Sequence, residues 1–218
     1  MIRLENISKS YVLDGVRRTV ADGISVVFPT GTSVGLFGRN GAGKSTLLRI
    51  IAGTIRPTSG RILSDGTISW PVGFAGSFHG ELTGAQNTSF IARVYGVDTD
   101  ALTAFVEDFA ELGPHFHMPF RTYSSGMRSR LAFGVSMGIR FDTYLVDEVT
   151  SVGDAAFRKK SEEVFNARMH DSGAIVVSHS MELMRRLCTM GMVLEKGRLV
   201  VFDDIEQAIR HHLGNMKV

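Results

Sequence analysis

A glycine-rich run near position 40 constrains the fold of this chain more than any other feature. Residues 38–46 read Gly-Arg-Asn-Gly-Ala-Gly-Lys-Ser-Thr and fit the phosphate-loop pattern, a glycine and four residues followed by Gly-Lys-Ser/Thr. A buried-strand pattern at 33–37 precedes the run, and a helical pattern at 47–52 follows it. This context disfavours the alternative of a chance glycine-rich turn, and it predicts a phosphate site at a helix N-terminus.

Each part of this loop has an expected task. The glycines let successive backbone N–H groups turn inward around an anion. Lys44 adds a charge that reaches the β- and γ-phosphates, and Ser45 offers a hydroxyl to Mg²⁺. The loop residues predicted to bind the nucleotide are Gly38, Arg39, Asn40, Gly41, Ala42, Gly43, Lys44, Ser45 and Thr46.

Length and composition favour a soluble intracellular protein. The 218 residues suit one domain with a small inserted subdomain. The single cysteine, Cys188, cannot form an intrachain disulfide, which favours a reducing compartment. A formal charge of +2 with mixed signs argues against nucleic acid as a partner. No apolar stretch is long enough to cross a bilayer, and the first residues lack a signal-peptide pattern, so a membrane connection would come through a partner.

The hydrophobic pattern predicts an α/β chain. The first forty residues resemble short strands, at 2–7, 23–28 and 33–37, joined by turns, and residues 82–138 show helical spacing. Further on, two short apolar runs flank a helical segment, which predicts parallel strands covered on both faces. The predicted later segments are strands at 143–146 and 174–177, a helix at 155–170, a hairpin around Lys196-Gly197 and a last helix at 205–212.

Two carboxylates, Asp147 and Glu148, stand at the end of the predicted strand 143–146. In open α/β sheets the ligand crevice lies outside the carboxyl ends of the strands. We therefore expect Asp147 to help Ser45 hold Mg²⁺ and Glu148 to polarise the water that attacks the γ-phosphate. The alternative is an acidic helix cap, which would be the default for an isolated Asp-Glu pair.

Histidines give one candidate catalytic residue. His179 follows the strand 174–177, where it can contact the γ-phosphate, although a lone histidine is more often structural. His115 and His117 suggest a metal site, but no cysteine or carboxylate cluster completes it nearby.

The segment Tyr123-Ser124-Ser125-Gly126 leads into a predicted helix. Its free N–H groups and hydroxyls suit phosphate oxygens. Ser-Gly helix caps are common, so the segment gains weight only from its position between the phosphate loop and the acidic pair.

In this order of motifs the chain resembles, over essentially its full length, the nucleotide-binding subunit of ABC transporters. The resemblance implies a P-loop fold of the ABC ATPase type, spanning 1–218, with a mainly parallel core sheet, an N-terminal antiparallel β subdomain and an inserted helical subdomain at about 82–138. It implies ATP and Mg²⁺ as cofactors and a head-to-tail dimer of two copies. Ser125 and Gly126 would then contact the γ-phosphate of a nucleotide held by the partner copy.

The resemblance also implies roles for residues that carry no signal of their own. Tyr11 matches the aromatic residue that stacks on adenine, although alone it would be assigned to packing. Residues 151–154, Ser-Val-Gly-Asp, match the loop that crosses the dimer interface. Many family members carry a glutamine within the stretch that corresponds to 72–84, whereas this chain has none there; Ser77 and His79 are possible substitutes.

Three segments, 68–73, 81–87 and 147–158, are similar to the polysaccharide-exporting branch, and most similar to ATPases that export bacterial capsular polysaccharide. O-antigen exporters often carry an added carbohydrate-binding domain, for which a chain ending at Val218 leaves no room. The expected function is ATP hydrolysis that drives capsular polysaccharide export across the inner membrane; the alternative is an exporter of the O-antigen or teichoic-acid type.

This interpretation implies an integral membrane permease that contacts most of the polysaccharide cargo. ATP binding would close the dimer, and residues 74–95 would transmit this movement to the permease. The chain would lie at the cytoplasmic face of the bacterial inner membrane as a peripheral subunit. Two rival classes remain. An ABC-type ATPase acting on nucleic acid or ribosomes usually has paired cassettes, long insertions or basic extensions. A small P-loop kinase would leave the Ser-Ser-Gly segment without a purpose.

Overall fold

The computed structural model describes residues 1–13, 15–148 and 154–216. The strands in chain order are β1 (Ile2–Leu13), β2 (Val16–Phe28), β3 (Ser33–Phe37), β4 (Ser59–Ser64), β5 (Ile68–Pro71), β6 (Thr143–Asp147), β7 (Gly173–Val177), β8 (Met190–Glu195) and β9 (Arg198–Phe202). The helices are α1 (Lys44–Ile51), α2 (Gly84–Tyr95), α3 (Thr99–Ala110), α4 (Ser125–Gly138), α5 (Ala155–Asp171), α6 (Met181–Leu187) and α7 (Ile205–Met216). Two short 3₁₀ helices are Gly113–His117 and Phe120–Thr122.

The chain divides into two compact units. The first comprises Met1–Pro71, Phe141–Glu148 and Met169–Val218. The second comprises Val72–Arg140 and Val149–Arg168. The helical segment predicted at about 82–138 lies within the second unit.

A six-stranded sheet in the order β5-β6-β7-β3-β8-β9 forms the centre of the first unit. The first five strands are parallel, and β9 pairs antiparallel with β8 at the edge. Every residue of β7 is buried, and so are four of the five residues of β3. Such continuous apolar runs are expected where helices cover both faces of a parallel sheet. The predicted mainly parallel α/β core is thereby confirmed.

Two glycines let helices approach this sheet closely. Gly35 of β3 and Gly191 of β8 lie side by side in register. A Cβ atom on Gly191 would stand 2.4 Å from the Ala208 Cβ of α7, and one on Gly35 would stand 2.9 Å from the side chains of Ile205 and Met184. Since real Cβ contacts are longer than this, a side chain at either position would push α7 away from the strands.

A three-stranded antiparallel sheet, β2-β1-β4, confirms the predicted N-terminal β subdomain. The predicted strands, at 2–7 and 23–28, were too short, because the structure continues the pairing to Leu13 and back to Val16. Residues 16–19 of β2 are all exposed, so they lack the alternation of buried and exposed positions that marks a strand in a sequence.

The second unit is built from helices. A capping box starts α2: the Thr83 hydroxyl accepts from the Gln86 N–H, and the Gln86 side chain accepts from the Thr83 N–H. Aromatic contacts join the later helices, since the Phe109 ring stacks on Phe133 at a centroid distance of 5.9 Å and meets Phe157 edge-on at 5.3 Å. The aromatic residues of α3 and α4 therefore form a core, as their helical spacing predicts, whereas Phe90 and Tyr95 of α2 have the same spacing and are exposed.

Candidate active site

The phosphate loop connects the end of β3 to the start of α1. Gly41 and Gly43 have φ values of 76° and 108°, a backbone conformation that residues other than glycine rarely adopt. The Lys44 Nζ donates to the Gly38 carbonyl at 2.8 Å and to the Arg39 carbonyl at 3.3 Å. Behind the loop, a Cβ on Gly38 would stand 2.7 Å from the Leu194 carbonyl oxygen. The loop is therefore held between its own lysine and the neighbouring strand β8.

An open cleft of about 540 Å³ lies in front of this loop. It brings together most of the predicted site residues, although they come from distant parts of the chain. Its lining consists of Tyr11, Arg18, Val20, Asn40, Gly41, Gly43, Lys44, Ser45, Thr46, Glu148 and His179. The remaining loop residues, Gly38, Arg39 and Ala42, line a second cavity of about 520 Å³, together with the end of β8 and His212 and Asn215 of α7.

Glu148 and His179 meet at the ends of neighbouring strands. Asp147 and Val177 are paired in the β6–β7 register, so the residues that follow them emerge together. The Glu148 N–H donates to the Val177 carbonyl at 2.9 Å, with a φ of 48° at Glu148. The Glu148 Oε1 lies 2.9 Å from the His179 Nε2. Both side chains are about half exposed or more, so a ligand in the cleft can reach them.

The charges of the acidic pair act on the loop lysine. Burial lowers the pKa of Lys44, and the negative charges of Glu148 and Asp147 oppose that decrease. Asp147 is the last residue of β6 and does not line the cleft wall itself. The hydroxyl of Ser45 and nearby carboxylate oxygens are hard donors of the kind Mg²⁺ prefers, so this set fits the predicted metal.

Tyr11 lies in β1, with 37% of its surface exposed. Its ring faces the cleft, and the Lys9 Nζ lies 5.1 Å from the ring centroid. An exposed aromatic ring beside a phosphate loop offers a stacking surface for a flat base. The strand therefore presents Tyr11 as a wall of the cleft, and the ring is not part of the core.

Sequence reasoning missed two residues of the lining, Arg18 and Val20. Both belong to β2, which reaches the loop from the antiparallel sheet. The Arg18 Nη2 donates to the Gly41 carbonyl at 3.0 Å. No motif or spacing connects these residues to the loop. The position of Arg18 opposite Tyr11 in the neighbouring strand could have indicated that Arg18 lines the cleft, but only if both strands had been predicted to extend this far.

Ser125 and Gly126 lie in the second unit as the first residues of α4. The Ser124 hydroxyl caps this helix by accepting from the Met127 N–H at 3.2 Å. A Cβ on Gly126 would meet nothing closer than the Ser124 Oγ at 3.9 Å, so the helix start stands open to a ligand. The predicted interface loop, 151–154, lies outside the described residues except for Asp154. The Asp154 carboxylate pairs with Arg130 of α4 at 3.0 Å.

Hydrogen bonds from Asn87 hold part of the segment 72–84, which lacks the glutamine that many family members carry. The buried Asn87 side chain accepts from the His79 N–H at 2.8 Å and donates to the His79 carbonyl at 3.1 Å. These bonds fix the backbone at His79 and assign no metal ligand. Among the described residues, no group of three or more histidine, cysteine, aspartate or glutamate side chains is arranged to hold a metal ion. His117 instead lies 3.1 Å from the Glu107 carboxylate.

The profile of the ABC transporter family matches residues 21–151 of the chain. The chain is 48% identical over 212 residues to the polysialic acid transport ATP-binding protein KpsT of Escherichia coli, with 96% of this chain and 97% of that protein aligned. It is 45% identical over 212 residues to the capsule polysaccharide export ATP-binding protein CtrD of Neisseria meningitidis serogroup B, with 97% and 98% aligned. Identity falls to 34% over 202 residues for the O-antigen export system ATP-binding protein RfbB of Klebsiella pneumoniae, with 91% and 82% aligned.

The fold is also similar to that of a solved structure. The ATP-binding cassette MJ0796, described as a dimer in a post-hydrolysis state bound to ADP and Pi, superposes with a TM-score of 0.73 at 20% identity. The alignment covers 94% of this chain and 99% of that one. Of the helices described for the present chain, none combines the length and apolar character needed to span a bilayer.

Proposed function

The chain belongs to the ABC transporter family, and on that premise we propose that it is the ATP-hydrolysing subunit of an exporter of capsular polysaccharide. The observation that carries the ATPase activity is the cleft itself, in which the phosphate loop faces a strand-end glutamate paired with a histidine at 2.9 Å. The capsular cargo is supported by 45–48% identity to export proteins over nearly the whole chain, against 34% for an O-antigen system.

We assign a task to each side chain of the cleft in this proposal. The backbone of residues 38–46 and Lys44 bind the phosphates, and the Tyr11 ring stacks on the adenine. Ser45 and Asp147 hold Mg²⁺, which neutralises charge on the phosphates when it is bound. Glu148 orients and polarises the attacking water, and His179 contacts the γ-phosphate. The carboxylate and the imidazole are already in contact, so they can be positioned together.

A second copy of the chain completes the site in this proposal. Ser125 and Gly126 begin α4 with free N–H groups and no obstructing side chain, which suits the γ-phosphate of a nucleotide held by the partner copy. The two copies pair head to tail, so each contributes a phosphate loop to one nucleotide and a Ser-Gly segment to the other.

An integral membrane permease is the other proposed partner. Phe90 and Val94 stand one helical turn apart on α2 with 56% and 61% of their surfaces exposed, and Phe74 and Tyr95 are exposed in the same unit. Exposed apolar side chains of this size favour a protein contact. The chain would thus sit at the cytoplasmic face of the inner membrane, and the permease would meet the polysaccharide. The formal charge of +2 supports no role for nucleic acid.

The test of the ATPase assignment is Glu148→Gln, with Glu163→Gln on the exposed face of α5 as the matched control. The amide keeps the size of the side chain but cannot accept a proton or polarise water. We expect the E148Q variant to bind ATP and to lose turnover by at least about a hundredfold, whereas the E163Q variant retains wild-type turnover. Phosphate release without any acceptor substrate is the measurement, and it also separates an ATPase from a kinase. Normal turnover in the E148Q variant would end the assignment.

The cargo is tested in cells that carry the chain and its neighbouring genes. Replacement by the E148Q variant should abolish capsule at the cell surface and leave polymer inside the cell, and the wild-type chain should copurify with a permease. Copurification with RNA or DNA instead would favour the soluble class of ABC ATPase. Loss of O-antigen or teichoic acid with an intact capsule would favour the alternative cargo.

A further inference from the structure

Arg18 occupies a position from which it can act on the nucleotide directly. It is the cross-strand partner of Tyr11 in the β1–β2 pair, with Ser10–Thr19 and Val12–Arg17 as the flanking pairs. Residues directly opposite each other in an antiparallel pair project from the same face of the sheet. Tyr11 and Arg18 accordingly both line the cleft, whereas the adjacent Arg17 does not.

The guanidinium of Arg18 reaches the phosphate loop. Its Nη2 donates to the Gly41 carbonyl at 3.0 Å, and a guanidinium has further N–H donors in the same plane. Among the described residues, Arg18 has no carboxylate partner, so its charge is not neutralised by the protein. An exposed cation that lines a phosphate cleft is available to an anionic ligand.

We propose that Arg18 binds the nucleotide through a phosphate oxygen on the adenine side of the loop, the α-phosphate. This inference rests on the proposed function. Tyr11 occupies the base end of the cleft, and Lys44 with the backbone of residues 38–46 serves the β- and γ-phosphates. Arg18 is linked to both ends, as the strand partner of Tyr11 and the hydrogen-bond partner of Gly41. The α-phosphate is the anionic group that lies between those ends.

A purely structural role for Arg18 predicts a different outcome. The bond to Gly41 could brace the loop without any contact to the nucleotide. A glutamine at position 18 is uncharged and its amide nitrogen lies two bonds short of the arginine Nη2, so it loses both the charge and the bond to the Gly41 carbonyl. A lysine keeps the charge and loses the planar arrangement of donors. Salt separates the two roles, because a bond that only braces a neutral carbonyl predicts a loss of affinity that is the same at low and high salt, whereas a contact with a phosphate predicts a loss that shrinks as salt rises.

The experiment measures the Kd of MgATP and MgADP by calorimetry for the full-length wild type and for the R18A, R18Q and R18K variants. The R17A variant is the matched control, since it removes the same charge from the same strand on the opposite face. We expect the R18A and R18Q variants to bind both nucleotides roughly tenfold more weakly. The Kd of the R18K variant should stay closer to the wild-type value, and the Kd of the R17A variant should equal the wild-type value. The difference in affinity between the wild type and the R18A variant should shrink at high salt, because the contact is between charges.

Three outcomes overturn the inference. A loss of affinity in the R18A variant that is the same at low and high salt would assign Arg18 to bracing alone, and equal affinities in the R18A and R17A variants would remove it from the site. Retained affinity in the R18Q variant would show that the charge at position 18 does not contribute to nucleotide binding. Failure of the wild type itself to bind ATP would instead overturn the proposed function. Urea unfolding of each variant confirms that the compared proteins are folded.

Discussion

Among single residues, Gly43 shows most directly how packing shapes the phosphate loop. A Cβ at this position would lie 2.1 Å from the Val20 Cγ1, and φ is 108°. Two separate penalties therefore oppose any side chain: backbone strain and overlap with β2. We predict that Gly43→Ala lowers the free energy of unfolding by about 3 kcal/mol and abolishes measurable ATP binding. Urea unfolding and calorimetry measure the two effects.

Gly53 and Val20 provide the controls for that prediction. Gly53 has a φ of 73°, and a Cβ added there would meet no atom within 4 Å, so Gly53→Ala should cost only about 1 kcal/mol of strain and leave ATP binding intact. Val20→Ala in the G43A background removes the overlapping methyl group. A double-mutant cycle should then show that the two changes are not additive. Simple additivity would mean that strain at Gly43 is the whole cause.

The residues that the sequence could not assign share one property. Arg18 and Val20 carry no motif, and only the pairing of β2 with β1 brings them to the loop. The loop residues were assignable because their spacing itself encodes an anion cradle. Glu148 and His179 were assignable as strand-end residues, but their 2.9 Å contact depends on β6 and β7 being neighbours.

At the scale of elements, Asp142 ties the edge strand β5 to β6. Its Oδ2 accepts from the Thr67 N–H and the Thr67 hydroxyl, each at 2.7 Å, and the Asp142 N–H donates to that hydroxyl at 3.0 Å. The Thr67 backbone donor, followed by its hydroxyl, lowers the pKa of the Asp142 carboxyl below its ordinary 3.8. The ionised carboxylate is thus the form that supports the strand pair.

This bond predicts a pH-dependent stability. A carboxyl with a lowered pKa in the folded state stabilises fully above its unfolded pKa, and it loses that effect as pH falls through the folded value. Asp142→Ala should therefore cost about 1 kcal/mol at pH 7 and almost nothing below the lowered pKa. Asp142→Asn keeps an acceptor without the charge, so its cost in unfolding free energy should be smaller than that of Asp142→Ala at pH 7 and should also shrink in acid, where the wild type loses the charge too. Urea unfolding at a series of pH values gives both curves; a D142A cost that persists in acid would contradict the assignment.

Elements with a strong pattern were predictable, and two others were not. The buried run of β3 was predicted at its observed bounds, and Lys196-Gly197 lies in the turn of the predicted hairpin. The seven-residue helix α6 was not predicted, because it is too short for a periodic signal and is fixed by packing of Met184 against the sheet. The first half of β2 was missed because its side chains are exposed.

For the whole molecule, the proposed shared site predicts that the protein changes from monomer to dimer when it binds MgATP. With MgATP, the E148Q variant should dimerise, because it binds the triphosphate that bridges two copies without hydrolysing it. Adding Ser125→Glu places a carboxylate against the partner's phosphates. The double variant should bind ATP and remain monomeric, since charge repulsion acts only between copies.

Light scattering with calorimetry on the same samples measures both properties. An ATP-saturated E148Q variant that stays monomeric would contradict the shared site. Dimerisation that survives the Ser125→Glu substitution would place the partner contact elsewhere. The sequence pointed to this arrangement only through its resemblance to a family, because neither spacing nor periodicity within one chain encodes a surface that a second chain completes.

The place of β3 between β7 and β8 has a consequence for synthesis on the ribosome. The strand emerges early, but its pairing partners extend to residues 174–176 and 190–193. At ordinary translation speeds, that gap amounts to about ten to thirty seconds. Throughout this interval β3 and the phosphate loop that follows it have no partner strands on either side. Nucleotide cannot stabilise the site during that time, because the strands that hold the loop in place have not yet left the ribosome.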